Sequence, residues 1–187
     1  MKFNKPVQMK KYFFLVAFLL PLAMGFSQTT MTPVDANSKV HFVIKNFGIK
    51  TGGDFTGLKG SIRFDPKQYA ASVFDVTVDA NTVDTDNSSR DKHLKEAEFF
   101  NVEKFMTISF KSTKVVQSTK AGRFYMYGNL TIKGVTKPIE FGFGAVAKDG
   151  GYVFDGTFQI NRRDFGVGGS SVSMSDKLTV TLNVFAK

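Results

Sequence analysis

RFYMYGNLTIKGVTKPIEFGFGAVAKDGGYVFDGTFQI, residues 123–160, alternates apolar and polar residues through three blocks separated by two glycine-bearing turns. In Arg123–Lys133, Phe124, Met126, Leu130 and Ile132 fall on one side together with Gly128. Ile139–Ala147 places Ile139, Phe141, Phe143 and Ala145 on one side, and Tyr152–Ile160 does the same with Tyr152, Phe154, Phe158, Ile160 and Gly156. A period of two marks strands with one buried face. Lys133–Pro138 reads as a turn, and Asp149-Gly150-Gly151 as a tight hairpin. Consecutive strands joined this closely are antiparallel, so the stretch commits the chain to an all-β domain.

The same period extends outward in both directions. Lys39–Lys45 aligns Val40, Phe42 and Ile44; Gly60–Asp65 aligns Ile62 and Phe64; Val73–Ala80 aligns Phe74, Val76, Val78 and Ala80. Beyond these, Met106–Lys111 aligns Met106, Ile108 and Phe110, and Lys177–Ala186 aligns Leu178, Val180, Leu182 and Val184. The alternation stops at Asp86–Lys95, where Ser88-x-x-Asp91 has the form of a capping box, so a short helix is expected there. The expected fold is therefore an eight-stranded antiparallel barrel with one short helix between the third and fourth strands. Its first and last strands are the natural pair to close it. A two-sheet sandwich is the competing arrangement.

The N-terminal part of the chain reads differently. Lys10 and Lys11 precede an apolar run from Tyr12 to Leu22, too short for a membrane span and interrupted by Pro21. Small residues at Gly25 and Ser27 follow, so residues 1–27 read as an export signal cleaved after Ser27, with a retained anchor as the alternative. Residues 28–187 then form one domain, periplasmic or secreted. The signal holds Lys2, Lys5, Lys10 and Lys11 and no acid, so the formal charge of +9 falls by four to +5 on cleavage. That remaining balance suits solubility and gives little reason to expect a polyanion partner. There is no cysteine, which excludes disulfides, thiolate metal sites and a cysteine nucleophile.

An eight-stranded barrel is just wide enough to be filled by its own side chains or to hold one small ligand. The chain has 21 phenylalanines and no tryptophan. Taken singly, an inward phenylalanine is ordinary core. Taken together, Phe42, Ile44, Phe64, Phe74, Val76, Ile108, Phe110, Met126, Leu130, Phe141, Phe143, Phe154, Phe158, Leu178, Val180 and Leu182 outline a channel fit for an apolar ligand. Gly128 and Gly156, on the same face, read equally as bends and as vacancies in its wall.

The charged residues point to binding rather than turnover. Only two histidines are present, His41 and His93, with no nucleophile elbow, no carboxylate pair placed by spacing and no metal-ligand spacing. No catalytic residue, metal or cofactor is expected; a lipid hydrolase or isomerase with His93 as base is the enzymatic alternative. Arg90 and His93 lie three apart on one helix face and, with Arg163, could hold a polar head group at a barrel rim. Alternatively, Arg90 and Asp91 pair with Asp164 and Arg163 and pin the helix, and Arg162 and Asp164 are read as structural. Tyr125 and Tyr127 beside Lys133 would be the platform of a single-strand nucleic-acid binder, a reading the export signal opposes.

Several stretches read together carry a family resemblance: VHFVIKNF (40–47), TGGDFTGLKGSIRFD (51–65), VTVDANTV (76–83), NSSRDKHLKEAEFF (87–100), GNLTIKGVTKP (128–138) and residues 160–176. In order and spacing the chain resembles the YceI-like family of exported polyisoprenoid-binding proteins, over essentially all of residues 28–187. The R-D-x-H-L-K and N-R-x-D-F-G-V-G segments are the most specific. The resemblance implies a lipocalin-like barrel whose channel holds a long isoprenoid, an isoprenoid quinone or a fatty-acid-like amphiphile for storage or transport, without catalysis. Transient membrane contact and a homodimer are both compatible with that role and fixed by nothing in the sequence; nucleic acid is not expected as a partner. The alternative is a filled barrel acting through its surface. Two positions depart from the family: Asn46, where many members carry histidine, and Met106, where they carry proline.

Overall fold

The computed structural model describes residues 1–3 and 29–187. The expected export signal and its cleavage after Ser27 lie outside the described residues. Ten strands form one antiparallel sheet: β1 Thr30–Met31, β2 Lys39–Asn46, β3 Ile49–Phe55, β4 Lys59–Arg63, β5 Val73–Asp79, β6 Thr107–Gln117, β7 Arg123–Ile132, β8 Val135–Lys148, β9 Gly151–Asn161 and β10 Met174–Ala186. In space they run β1-β4-β5-β6-β7-β8-β9-β10-β2-β3. The sheet curls into a half-barrel, and the one α-helix among the described residues, α1 (Ser88–Lys95), lies between β5 and β6.

The strand count and the closure correct the eight-stranded expectation. β2 and β10 do pair, with Ile44 opposite Leu178, Phe42 opposite Val180 and Val40 opposite Leu182. That pair does not seal the barrel, because β3 adds outside β2 and β1 adds outside β4. The edges are instead tacked by single bridges, Asp54 to Asp84 and Pro33 to Ala186, and by reciprocal backbone hydrogen bonds between Thr32 and Lys187. β3 was hidden because IKTGGDF carries no apolar alternation. Its glycines have a packing reason: a Cβ on Gly53 would overlap the Phe42 ring and the Thr85 methyl, and one on Gly52 would press on the His41 ring. β2 side chains thus fold over β3.

β8 also begins earlier than expected. Only Lys133 and Gly134 form the turn, with φ of 51° and 74°, and Pro138 sits inside the strand opposite Asn129. A proline fits there because β8 pairs with β9 only from Phe143 to Lys148, so the N–H it lacks faces no ladder. β6 runs on to Gln117 past a bulge between Ser112 and Lys114 that breaks the alternation. The helix is capped by Asn87, whose Oδ1 accepts the Arg90 backbone N–H at 2.9 Å. Asp91 is not a capping-box partner. Its Oδ1 accepts the Thr85 backbone N–H at 2.9 Å and the Thr85 hydroxyl at 2.5 Å, tying α1 to the segment before it.

The core is polarised. At the end of the half-barrel away from α1, Phe64, Phe74, Phe124, Phe143, Tyr152 and Phe154 pack largely edge to face. The Phe64 ring lies 5.3 Å from the rings of Phe124, Tyr152 and Phe154, and Phe74 lies 5.2 Å from Phe154. This geometry matches positive ring edges to negative faces. Phe64 and Phe143, expected in a channel wall, are here a plug. Gly128 is no vacancy, since the Phe110 ring lies where its side chain would be. Gly128→Ala should therefore lower stability by about 1–3 kcal/mol through overpacking against Phe110 and the Lys111 carbonyl oxygen. Denaturant unfolding checks this; an unchanged midpoint contradicts it.

Candidate functional site

Between the aromatic plug and the end bearing α1 lies an apolar cavity of about 230 Å³. Of the expected channel residues, Phe42, Ile44, Val76, Ile108, Phe110 and Leu130 line it, as do Phe141, Phe158, Leu178, Val180 and Leu182. Phe74, Met126, Phe143 and Phe154 instead line a separate pocket of about 60 Å³ toward the plug, and Phe64 lines neither. Val76, Phe110, Phe141 and Leu182 border both spaces. Phe110 and Phe141 stand 5.8 Å apart, and Phe141 stacks on Phe158 at 4.6 Å. These three rings form the floor of the larger cavity. The expected channel is thus a pouch closed at one end.

The lid comes from residues with no strand period. Leu94 of α1, Phe99, Phe100 and Val167 line the cavity, and Phe100 meets Phe55 of β3 edge to face at 5.4 Å. Phe99, Phe165 and Val167 form a second buried cluster with Leu130 and Ile132. The 87–100 and 160–176 segments, read in sequence for their charges, contribute mainly this apolar cover. Phe99 and Phe100 carry the one signal that could have found them, adjacent aromatics just after a short polar helix.

The charged residues separate by role. Arg162, read as structural, is 3% exposed and borders the cavity. Its guanidinium donates to the carbonyl oxygens of Ser175 (3.1 Å) and Val167 (2.8 Å) and to Asp176 Oδ1 (2.9 Å). The Gly168 N–H in turn donates to the Glu98 carbonyl oxygen at 2.9 Å. Lys133 Nζ donates to the carbonyl oxygens of Glu98 (2.8 Å) and Gly166 (2.7 Å), so the β7–β8 tip, the lid and the 162–168 turn are strapped together. Burial lowers the Lys133 pKa from the ordinary lysine value, and the charge of Glu98 opposes this. Lys133 is thereby removed from the Tyr125–Tyr127 platform, and Tyr127 has Lys114 over its ring instead.

Of the three expected rim residues, Arg90 alone lines the cavity, with Nε donating to Thr85 Oγ1 (2.8 Å) and Nη2 to the Thr85 carbonyl oxygen (2.7 Å). Nη1 has no hydrogen-bond partner among the described residues. His93 is turned edge-on to Phe99, with centroids 4.9 Å apart. Arg163 is exposed and reaches Asp176 at 3.4 Å, so neither it nor Arg90 makes the alternative pairs with Asp91 and Asp164. His41 Nδ1 lies 2.7 Å from Asp54 Oδ1 across the β2–β3 pair. Asn46 borders the cavity with Oδ1 buried and unpartnered. Among the described residues, no group of histidine and carboxylate side chains is assembled that could hold a metal ion.

A YceI-like domain model matches residues 32–186. The chain belongs to the YceI-like family. A UPF0312 protein of Vibrio cholerae is 32% identical over 155 residues, covering 79% of this chain and 82% of the relative. In fold, the family member resembles the crystal structure of Burkholderia cenocepacia BcnA, with a TM-score of 0.79 at 22% identity, over 83% of this chain and 99% of that one. It also resembles a polyisoprenoid binding domain from Saccharophagus degradans implicated in plant cell wall breakdown, with a TM-score of 0.69 at 15% identity, over 86% and 99% of the two chains. The N-R-x-D-F-G-V-G segment is the Arg162 latch itself. Arg162→Met should cost about 1–3 kcal/mol by leaving the Val167 and Ser175 carbonyl oxygens without their donor. Hydrogen exchange should quicken first in residues 162–176; uniform protection there would contradict the latch.

Proposed function

We propose that the protein is an exported, non-enzymatic carrier that holds the apolar tail of an amphiphile in this cavity, with the polar head at the α1 end. The apolar cavity is the observation that carries the reading. Left empty, its about 230 Å³ would cost about 5.5 kcal/mol at ~24 cal/mol per Å³. That is a large share of the about 5–15 kcal/mol that stabilises a typical domain. A bound tail removes this cost. Arg90 supports the placing of the head, since Nη1 offers a charged donor at the edge of a largely apolar wall.

The volume also limits the tail. A cavity of about 150 Å³ holds benzene, or about 25 Å³ per carbon, so about 230 Å³ accepts roughly nine carbons. Burying nine carbons at ~0.8 kcal/mol each gives about 7 kcal/mol, a dissociation constant in the micromolar range. A polyisoprenoid of the length suggested by the family would leave most of its chain outside, or would have to displace Phe110 and Phe141 and enter the inner pocket.

Organic extracts of the protein, purified after export from its own cells, should yield a stoichiometric amphiphile by mass spectrometry. Straight-chain alcohols of increasing length should bind lipid-free protein about fourfold more tightly per added carbon and then level off near the cavity's capacity. Phe110→Ala should move that plateau to longer chains by opening the floor. An empty extract together with no chain-length dependence would sink the carrier reading.

A further inference from the structure

The β2–β3 hairpin turns on Phe47 and Gly48, with φ of 49° and 77°. Positive φ at both positions is the requirement of the two-residue hairpin turn that favours Asn-Gly or Asp-Gly. The chain meets that preference elsewhere, with Asp149-Gly150 between β8 and β9. At the β2–β3 tip it places a bulky aromatic residue in the left-handed region, which is strained for such a side chain. The strain gains no packing, because Phe47 is 78% exposed and Ile49, on the other side of Gly48, is 70% exposed. Val172, fully exposed, belongs to the loop held beside the tip by a hydrogen bond from the Phe47 N–H to the Ser173 carbonyl oxygen at 2.8 Å.

The flanks carry another local sacrifice. Lys45 and Lys50 are direct cross-strand partners, a like-charge pair that weakens a hairpin. Both are exposed, and among the described residues neither has an ion-pair partner. The tip stands at the cavity end of the half-barrel, since Asn46, which precedes it, and Met174, paired with Asn46, both line the cavity. Strain, exposed apolar area and uncompensated positive charge therefore coincide at the mouth. Such departures from local preference accumulate where a site is functional.

We infer that this tip docks the protein on an anionic lipid surface. Phe47, Ile49 and Val172 enter the headgroup boundary, and Lys45 and Lys50 meet the phosphates beneath them. The lysines select a charged bilayer over an apolar protein groove as the occupant, because anionic lipid attracts juxtamembrane cations while a protein groove gains nothing from an exposed lysine pair. The inference goes beyond the carrier reading and does not depend on what fills the cavity.

Flotation of the purified protein with vesicles of phosphatidylglycerol and phosphatidylcholine in equal parts tests it, with pure phosphatidylcholine vesicles as the comparison. The protein should float with the anionic vesicles and much less with the neutral ones, and added salt should release it. Phe47→Asn should reduce partitioning at least about tenfold. It should also raise the unfolding temperature or leave it unchanged, because asparagine suits the turn, which separates lost docking from lost fold. Replacing Lys45 or Lys50 by Gln should cost about fivefold each. Equal partitioning of the native protein and Phe47→Asn, equal binding to both vesicle types, or no binding to either would overturn the inference.

Discussion

Everything in this structure depends on where the phenylalanines find edge-to-face partners. At one end of the half-barrel the rings of Phe64, Phe74, Phe124, Phe143, Tyr152 and Phe154 satisfy one another and exclude space. At the other end the inward residues are mostly aliphatic, Ile44, Ile108, Leu178 and Val180, and cannot fill the bore from opposite walls. The cavity is what remains. One strand pattern thus yields a solid half that supplies stability and a hollow half that can take a guest, divided by Phe110, Phe141 and Phe158.

The hollow half is held from outside rather than within. Over residues 135–142, β8 has no ladder partner on the β9 side, so the wall there lacks backbone cross-links. The Phe141–Phe158 stack and the Arg162–Phe165 turn stand where the ladder is missing. Arg162 places its charge in that cover, satisfied by two carbonyl oxygens and Asp176, an arrangement with far stricter geometry than apolar filling would impose. Lys133 adds a further strap from the β7–β8 tip. Directional bonds of this kind keep the lid in one place while leaving the space below it apolar.

Much of this was legible in the sequence, and the rest was not, for physical reasons. A period of two located β2 and β4–β10, with β6 and β8 shorter than they are, because one face of each is buried. It missed β3 because Gly52 and Gly53 serve side chains that reach over from β2, so the strand's reason for its sequence lies on its neighbour. It placed Phe64 and Phe143 in a channel wall because inward orientation is readable from alternation, whereas the level along the bore at which opposite walls meet is not. Arg163 and Arg90 were grouped by charge, yet Thr85 and Asp176, which hold them, carry no spacing signal that would choose them as partners.

The family match sharpens the meaning of the volume. The fold is shared with the Saccharophagus degradans domain, but the shape of the space inside it is decided by local side chains, and only 15% of residues are identical. In this chain, Phe110 occupies the space that Gly128 leaves, and Phe141 lies against Gly156. Each glycine therefore lets a ring from a neighbouring strand swing across the bore, and each ring shortens the cavity. Glycines on an inward face, ambiguous between bend and vacancy when read alone, act here as seats for the two aromatics that set the depth of the pouch.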